Sequence, residues 1–254
     1  MLRTELTQYL SSFLNINAFK DYAPNGLQVE GRREIHTIVT GVTACQALIE
    51  AAIALKADAI LVHHGFFWKN EPEVITGMKQ KRIKALLEND INLYGYHLPL
   101  DAHPEIGNNI ELGRQLGLQN IAPVDHVTGA STPGLLWRGK LPEKMLPSVF
   151  SAHLKAVLGR TPLHLGDESK VMETVAWCTG GAQDYIDLAA QLDVDAFISG
   201  EASERTFHCA IEQGIHYFGA GHHATERYGI QALGRHLEAK FGVTHHFVDI
   251  DNPV

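Results

Sequence analysis

The chain has 254 residues, 45% of them hydrophobic, enough to bury a full core either as one large α/β domain or as two small ones. Its three cysteines, Cys45, Cys178 and Cys209, are widely spaced and form no C-x-x-C pair, which excludes a disulfide framework and a zinc ribbon and fits reduced cytosolic thiols. A formal net charge of -8 argues against non-specific nucleic-acid binding, and the N-terminal M-L-R-T-E-L-T-Q-Y-L has no long apolar run, so we expect a soluble cytoplasmic protein with no signal peptide or membrane span.

Along the chain, residues 35–40 read as a strand, Ala44 to Lys56 as a helix and Asp58 to His63 as a second strand. Lys79 to Asn89 is then a helix and Ile91 to Tyr96 a strand. The strands are near-continuous apolar runs, as in a sheet covered on both faces, while the first of these helices is expected to place Leu48, Ala51, Ala52 and Leu55 on one side. This alternation is the α/β pattern. Pro99 disfavours helix at Leu98, so Asp101 is expected in a loop ahead of a helix introduced by Gly107 and Asn108.

The order then recurs. T-G-V with its helix and the strand D-A-I-L-V (40–62) resembles T-G-G with Y-I-D-L-A-A-Q-L-D-V and D-A-F-I-S (179–199), pairing Ile49 with Ile186, Ala52 with Ala189, Leu55 with Leu192 and Asp58 with Asp195. I-N-L-Y-G (91–95) likewise matches I-H-Y-F-G (215–219). We therefore expect a first α/β repeat over 1–127 and a second over 128–254, the nominal boundary lying in the turn-rich T-G-A-S-T-P-G (128–134). Two such halves facing one another across a pseudo-two-fold axis would bring both sets of strand ends together. Residues 135–166 read strand, helix (Leu146 to Leu158), strand, and 245–250 reads as a last strand.

Metal-type residues gather where predicted strands end: His63-His64-Gly65, then His97 and Asp101, then His222-His223 and Glu226. His97 to Asp101 and His222 to Glu226 share the pattern His-x-x-x-carboxylate, 125 positions apart. Imidazole nitrogen and carboxylate oxygen are common ligands of first-row divalent metals, and open α/β sheets bind ligands beyond the carboxyl ends of their strands. Adjacent strand residues face opposite ways, so His63 and His64 converge only where the strand is ending, with Gly65 expected to supply the backbone freedom. Glu226 falls at the start of a helix with the apolar stripe Ile230, Leu233, Leu237 and Phe241, and His222 lies one turn earlier on the same side. The pair His245-His246 has no partner pattern, and surface or core positions are expected for it. No G-x-x-x-x-G-K-[ST] or G-x-G-x-x-G loop occurs, so phosphate binding would rely on strand-end amides and scattered basic residues such as Arg227.

D-Y-A-P-N-G-L-Q-V-E-G (21–31), T-G-V-T (40–43), V-H-H-G (62–65), H-L-P-L-D (97–101), S-G-E (199–201) and G-H-H-A-T-E (221–226) together resemble the Nif-three-like family, also called the GTP cyclohydrolase I type 2 family, over nearly the whole length. The likeness is to its short members without an inserted domain. The resemblance implies two interlocked α/β halves, a toroidal homohexamer, and two divalent ions per subunit on His63, His64, Asp101, His222 and Glu226. The identity of the metal stays open, since His with carboxylate suits zinc, manganese, iron or nickel. The family's H-x-N-x-D stands here as H-L-P-L-D, with Pro99 in place of Asn. It further implies a metal-dependent hydrolase acting on the guanine ring of a nucleotide, GTP; His97 and His223 are candidates there to carry protons, and equally to fill a core position or support a ligand. The alternative of another class is a ring-forming metal-binding interaction protein in a stress or DNA-damage response, without GTP turnover.

Overall fold

A computed structural model describes residues 1–124 and 134–254. In chain order the elements are α1 (Arg3–Phe13), β1 (Gly26–Val29), β2 (Thr37–Thr43), α2 (Gln46–Ala54), β3 (Ala59–His64), α3 (Gly77–Glu88), β4 (Asn92–Gly95), α4 (Leu98–Ala102), α5 (Asn108–Gln115) and β5 (Gln119–Pro123). There follow β6 (Trp137–Met145), α6 (Pro147–Leu158), β7 (Leu163–Leu165), β8 (Met172–Trp177), α7 (Ile186–Ala190), β9 (Ala196–Ser199), α8 (Glu204–Gln213), β10 (His216–Gly219), α9 (His222–Thr225), α10 (Arg227–Phe241) and β11 (Thr244–Phe247). The chain folds into two compact units, one of residues 1–100 with 229–251 and the other of 101–228 with 252–254. These units are cut differently from the sequence repeat, whose nominal boundary at 127/128 lies outside the described residues.

The first unit holds a sheet in the order β1-β4-β3-β2-β11, in which β2, β3, β4 and β11 run parallel and β1 is antiparallel at the edge. Val39, Ile60, Val62 and Leu93 from the parallel strands pack with Leu48, Ile49 and Ala52 of α2 and Leu86 of α3. Each such apolar side chain taken out of water contributes about 1.5–3 kcal/mol, which is what drives helices onto the sheet face. The buried face of α2 differs from the expected one. Ile49 is fully buried and Leu55 is 39% exposed, because α2 ends at Ala54 and Leu55 caps it instead of continuing the stripe.

In the second unit the sheet order is β5-β6-β8-β9-β10-β7, with β8, β9 and β10 parallel at its centre. Its core joins Val175 and Trp177 of β8, Ile198 of β9 and Phe218 of β10 to Phe150 and Leu154 of α6. The internal repeat is visible in hydrogen bonds that each unit makes separately. Asp58 Oδ2 accepts from the amides of His36 and Thr37, and Asp195 Oδ2 accepts from the amides of Glu173 and Thr174. An aspartate entering β3 thus pins the start of the strand before it, β2, and another entering β9 pins the start of β8. Burial opposes ionisation of Asp195, but the Thr174 and Glu173 amides hold its carboxyl below the ordinary value.

Candidate metal centre

In the first unit, His63 and His64 are the last residues of β3, and His97 follows β4 by two residues, so all three imidazoles stand at the carboxyl ends of parallel strands. Each offers a nitrogen within 4.8 Å of the others, close enough to share an ion. The rings of His63 and His64 are 4.4 Å apart, so the pleat that would separate neighbours is lost at the strand end, as the sequence predicted. Gly65 contributes in a different way from the one expected. It has no left-handed φ; a Cβ there would instead sit 2.2 Å from Gln28 Oε1, so the missing side chain makes room for the Gln28 amide.

His63 Nδ1 lies 2.9 Å from the Tyr96 carbonyl, an acceptor only, so Nδ1 carries the proton and Nε2 keeps the lone pair a metal needs. His97 is fixed in the same sense by Asp21, whose Oδ1 is 2.9 Å from Nδ1. Burial works against the charge of Asp21, yet hydrogen bonds from His97 and Asn25 and the nearby imidazole lower its pKa to about 2. The other Asp21 oxygen accepts from the Leu98 amide, and Asn25 Oδ1 from the His97 amide. These side-chain acceptors satisfy amides that a helix start leaves open, and α4 begins there. Asp101 is accordingly in α4 and not in a loop. Pro99 is the second residue of that helix, in the first turn, where a missing N–H costs nothing.

In the second unit, Asp101 and Glu226 are 6% and 2% exposed and carry carboxylate oxygens within 4.8 Å of each other. Two such charges repel by roughly 3 kcal/mol at an effective dielectric near 20, a cost removed when they share a proton or a cation. Asn108 Nδ2 donates to Asp101 Oδ1 at 2.8 Å and orients it. Their joint field, after burial, is a cause that pushes the Cys178 thiol well up, which keeps that residue an inert core side chain. Glu226 closes α9 just ahead of α10, and Gly180 backs it: with φ at +68° a Cβ on Gly180 would lie 2.0 Å from Glu226 Oε1. His222, at the start of α9 beyond β10, points Nε2 at Glu226 Oε2 at 3.2 Å and Nδ1 at Glu201 Oε1 at 2.6 Å. Burial alone would lower the His222 pKa, but Glu226 and then Glu201 raise it to about 9.

The structure therefore places His63, His64 and His97 together in one unit, and Asp101, Glu226 and His222 in the other. His223 is buried in α9, with its amide donating to the Val254 carbonyl. His245 faces elsewhere, its Nε2 2.8 Å from Thr40 Oγ1 in a contact that the bare Gly234 of α10 makes room for. Asp21 and Glu201 escaped the sequence reading. Both stood in the stretches D-Y-A-P-N-G and S-G-E; Glu201, two residues past the end of β9, carried a strand-end signal, whereas Asp21, five residues before β1, carried none.

Parallel strands that end in imidazoles and buried carboxylates define an α/β protein with residues that can hold a metal ion. The chain belongs to the Duf34/NIF3 (NGG1p interacting factor 3) family, which it matches over residues 1–253. It is 55% identical to a protein of Vibrio cholerae serotype O1 named GTP cyclohydrolase 1 type 2 homolog, over 100% of both chains, and 55% identical to one of the same name from Allochromatium vinosum, over 98% of this chain and 96% of the other. A solved structure described as protein ybgI of unknown function superposes with a TM-score of 0.92 at 51% identity and full coverage of both chains. Among the described residues no helix is long and apolar enough to cross a membrane.

Proposed function

We propose that the chain is a cytoplasmic hydrolase that binds two divalent ions on His63, His64, Asp101, His222 and Glu226, acts on the guanine ring of a nucleotide such as GTP, and assembles as a closed hexameric ring. The observation that carries the metal reading is the pair of buried carboxylates, Asp101 and Glu226, within 4.8 Å. Beside them stands His222, oriented through Nδ1 as ligating histidines are. A bound divalent ion would supply water ionised near neutrality and polarise the group under attack. Zinc, manganese, iron and nickel all suit this donor set, and availability decides among them.

The protein's own part is to hold and move protons. His97, paired through Nδ1 with an Asp21 carboxylate that stays ionised, can take a proton at Nε2 with its developing charge stabilised, the arrangement of a general base. That favours His97 over His223 as the proton carrier; ligation beside His63 and His64 would use the same Nε2 and exclude that role. The test is turnover of GTP by metal-loaded protein, with formate release and loss of guanine absorbance as readouts. Turnover that is abolished in His97→Ala supports the proposal. No turnover of GTP at full metal content would leave the interaction protein as the better reading.

A further inference from the structure

Two aromatic side chains adjoin the histidine cluster of the first unit and have no part in the chemistry above. Tyr22 and Trp68 stack on each other at 5.6 Å and 30°, and both stand edge-on to His97, at 5.0 and 5.2 Å. Trp68 also lies 5.7 Å from His64. The five rings of Tyr22, Trp68, His97, His64 and His63 are thus contiguous, yet Tyr22 remains 57% exposed. Nor is Tyr22 loosely held. Its carbonyl accepts from the Lys69 amide, and its neighbour Asp21 is bound to both the ring and the following amide of the His97 segment. A tyrosine fixed from both sides with more than half of its surface in water is preorganised for something flat. Because each ring turns one face to the other and they are not splayed apart, what they leave for a ligand is the outer face of the stack, a platform and not a cage around a cation.

We infer that Tyr22 and Trp68 are the stacking platform for the substrate, a planar nitrogen heteroaromatic ring of the purine type, which they hold beside His64 and His97. This rests on the hydrolase reading of the same histidines and adds to it the residues that select the substrate. Stacking of a base on an aromatic side chain has the strength to change affinity about five- to a hundredfold when the aromatic is removed.

The test uses metal-free, full-length protein and its tryptophan fluorescence. Trp137 and Trp177 are 2% and 0% exposed, so quenching on titration reports Trp68. Guanosine is the probe, ribose 5-phosphate the control without a ring, and choline the control for a cation cage. Guanosine should quench and saturate, Tyr22→Phe should bind it as the wild type does, and Tyr22→Ala should bind at least fivefold more weakly with unchanged metal content when reloaded. Calorimetry of Trp68→Ala should show a similar loss. Guanosine binding unaltered in Tyr22→Ala and Trp68→Ala, or choline bound in preference to guanosine, overturns the platform. Failure there with two ions per chain retained leaves the metal reading standing, whereas quenching without any metal content leaves the platform standing alone.

Discussion

His222 offers the sharpest quantitative prediction because, if it is a ligand as proposed, proton and metal compete for its Nε2. A rise from 6.5 to about 9 is a preference for the charged ring of about 3 kcal/mol, and about 2 kcal/mol after allowing for the 39% exposure of the Glu201 side chain. Since the folded value is the raised one, this stabilises the metal-free protein fully below pH 6.5 and is lost as pH climbs through about 9. At pH 7 about one ring in a hundred is neutral, so a metal that takes Nε2 must displace a proton. Its apparent affinity should therefore rise about tenfold per pH unit from 7 toward 9 and then level off. Glu201→Gln keeps an acceptor for Nδ1–H but removes the charge. The levelling should move to lower pH, and a drop in affinity of about tenfold or more is expected above it, where the carboxylate no longer strengthens the ligand. Competition against a chelator of known affinity measures both curves, and histidine-selective NMR of the metal-free protein follows the ring itself. Affinity independent of pH in the wild type, or one shared curve for both proteins, would refute the reasoning.

Two further outcomes follow from the same geometry, and a third from the family resemblance alone. Gly180→Ala should lose metal and more than about 2 kcal/mol of stability by thermal unfolding, because a methyl group in a left-handed conformation is driven into Glu226 Oε1. If the proposed hydrolase reading holds, Asp101→Asn should abolish activity on any true substrate while unfolding in chelator shifts little, since the amide keeps the shape and loses the anionic oxygen; activity retained in metal-depleted protein would exclude a metal role. Light scattering should give a closed oligomer about six times the 28.0 kDa chain, and a stable monomer contradicts the ring.

The alternation of strands and helices was legible because parallel strands covered on both faces are written as unbroken apolar runs: β4, β9 and β10 lie within segments so read, and β3 runs one residue past its segment, to His64. The strand-end position of His63, His64, His97 and His222 followed from it. What escaped were contacts that the local pattern does not encode. Pro99 read as a helix breaker because the acceptors that start α4, Asp21 and Asn25, lie over seventy residues earlier. Gly65 read as a hinge because the Gln28 amide that needs its space comes from another strand. Leu55 fits the helical period, but period alone does not show that α2 stops one residue short of it. Glu201 was seen only as part of S-G-E, and its role appears once β9 and β10 are placed side by side.

Elemental analysis of purified protein tests most directly the proposal that His63, His64, Asp101, His222 and Glu226 hold divalent metal. About two ions per chain are expected in the wild type, with marked loss in His64→Ala and in Glu226→Ala and no change in His245→Ala, whose ring is committed to Thr40. Metal content unchanged in both His64→Ala and Glu226→Ala, or lost in His245→Ala, would contradict it.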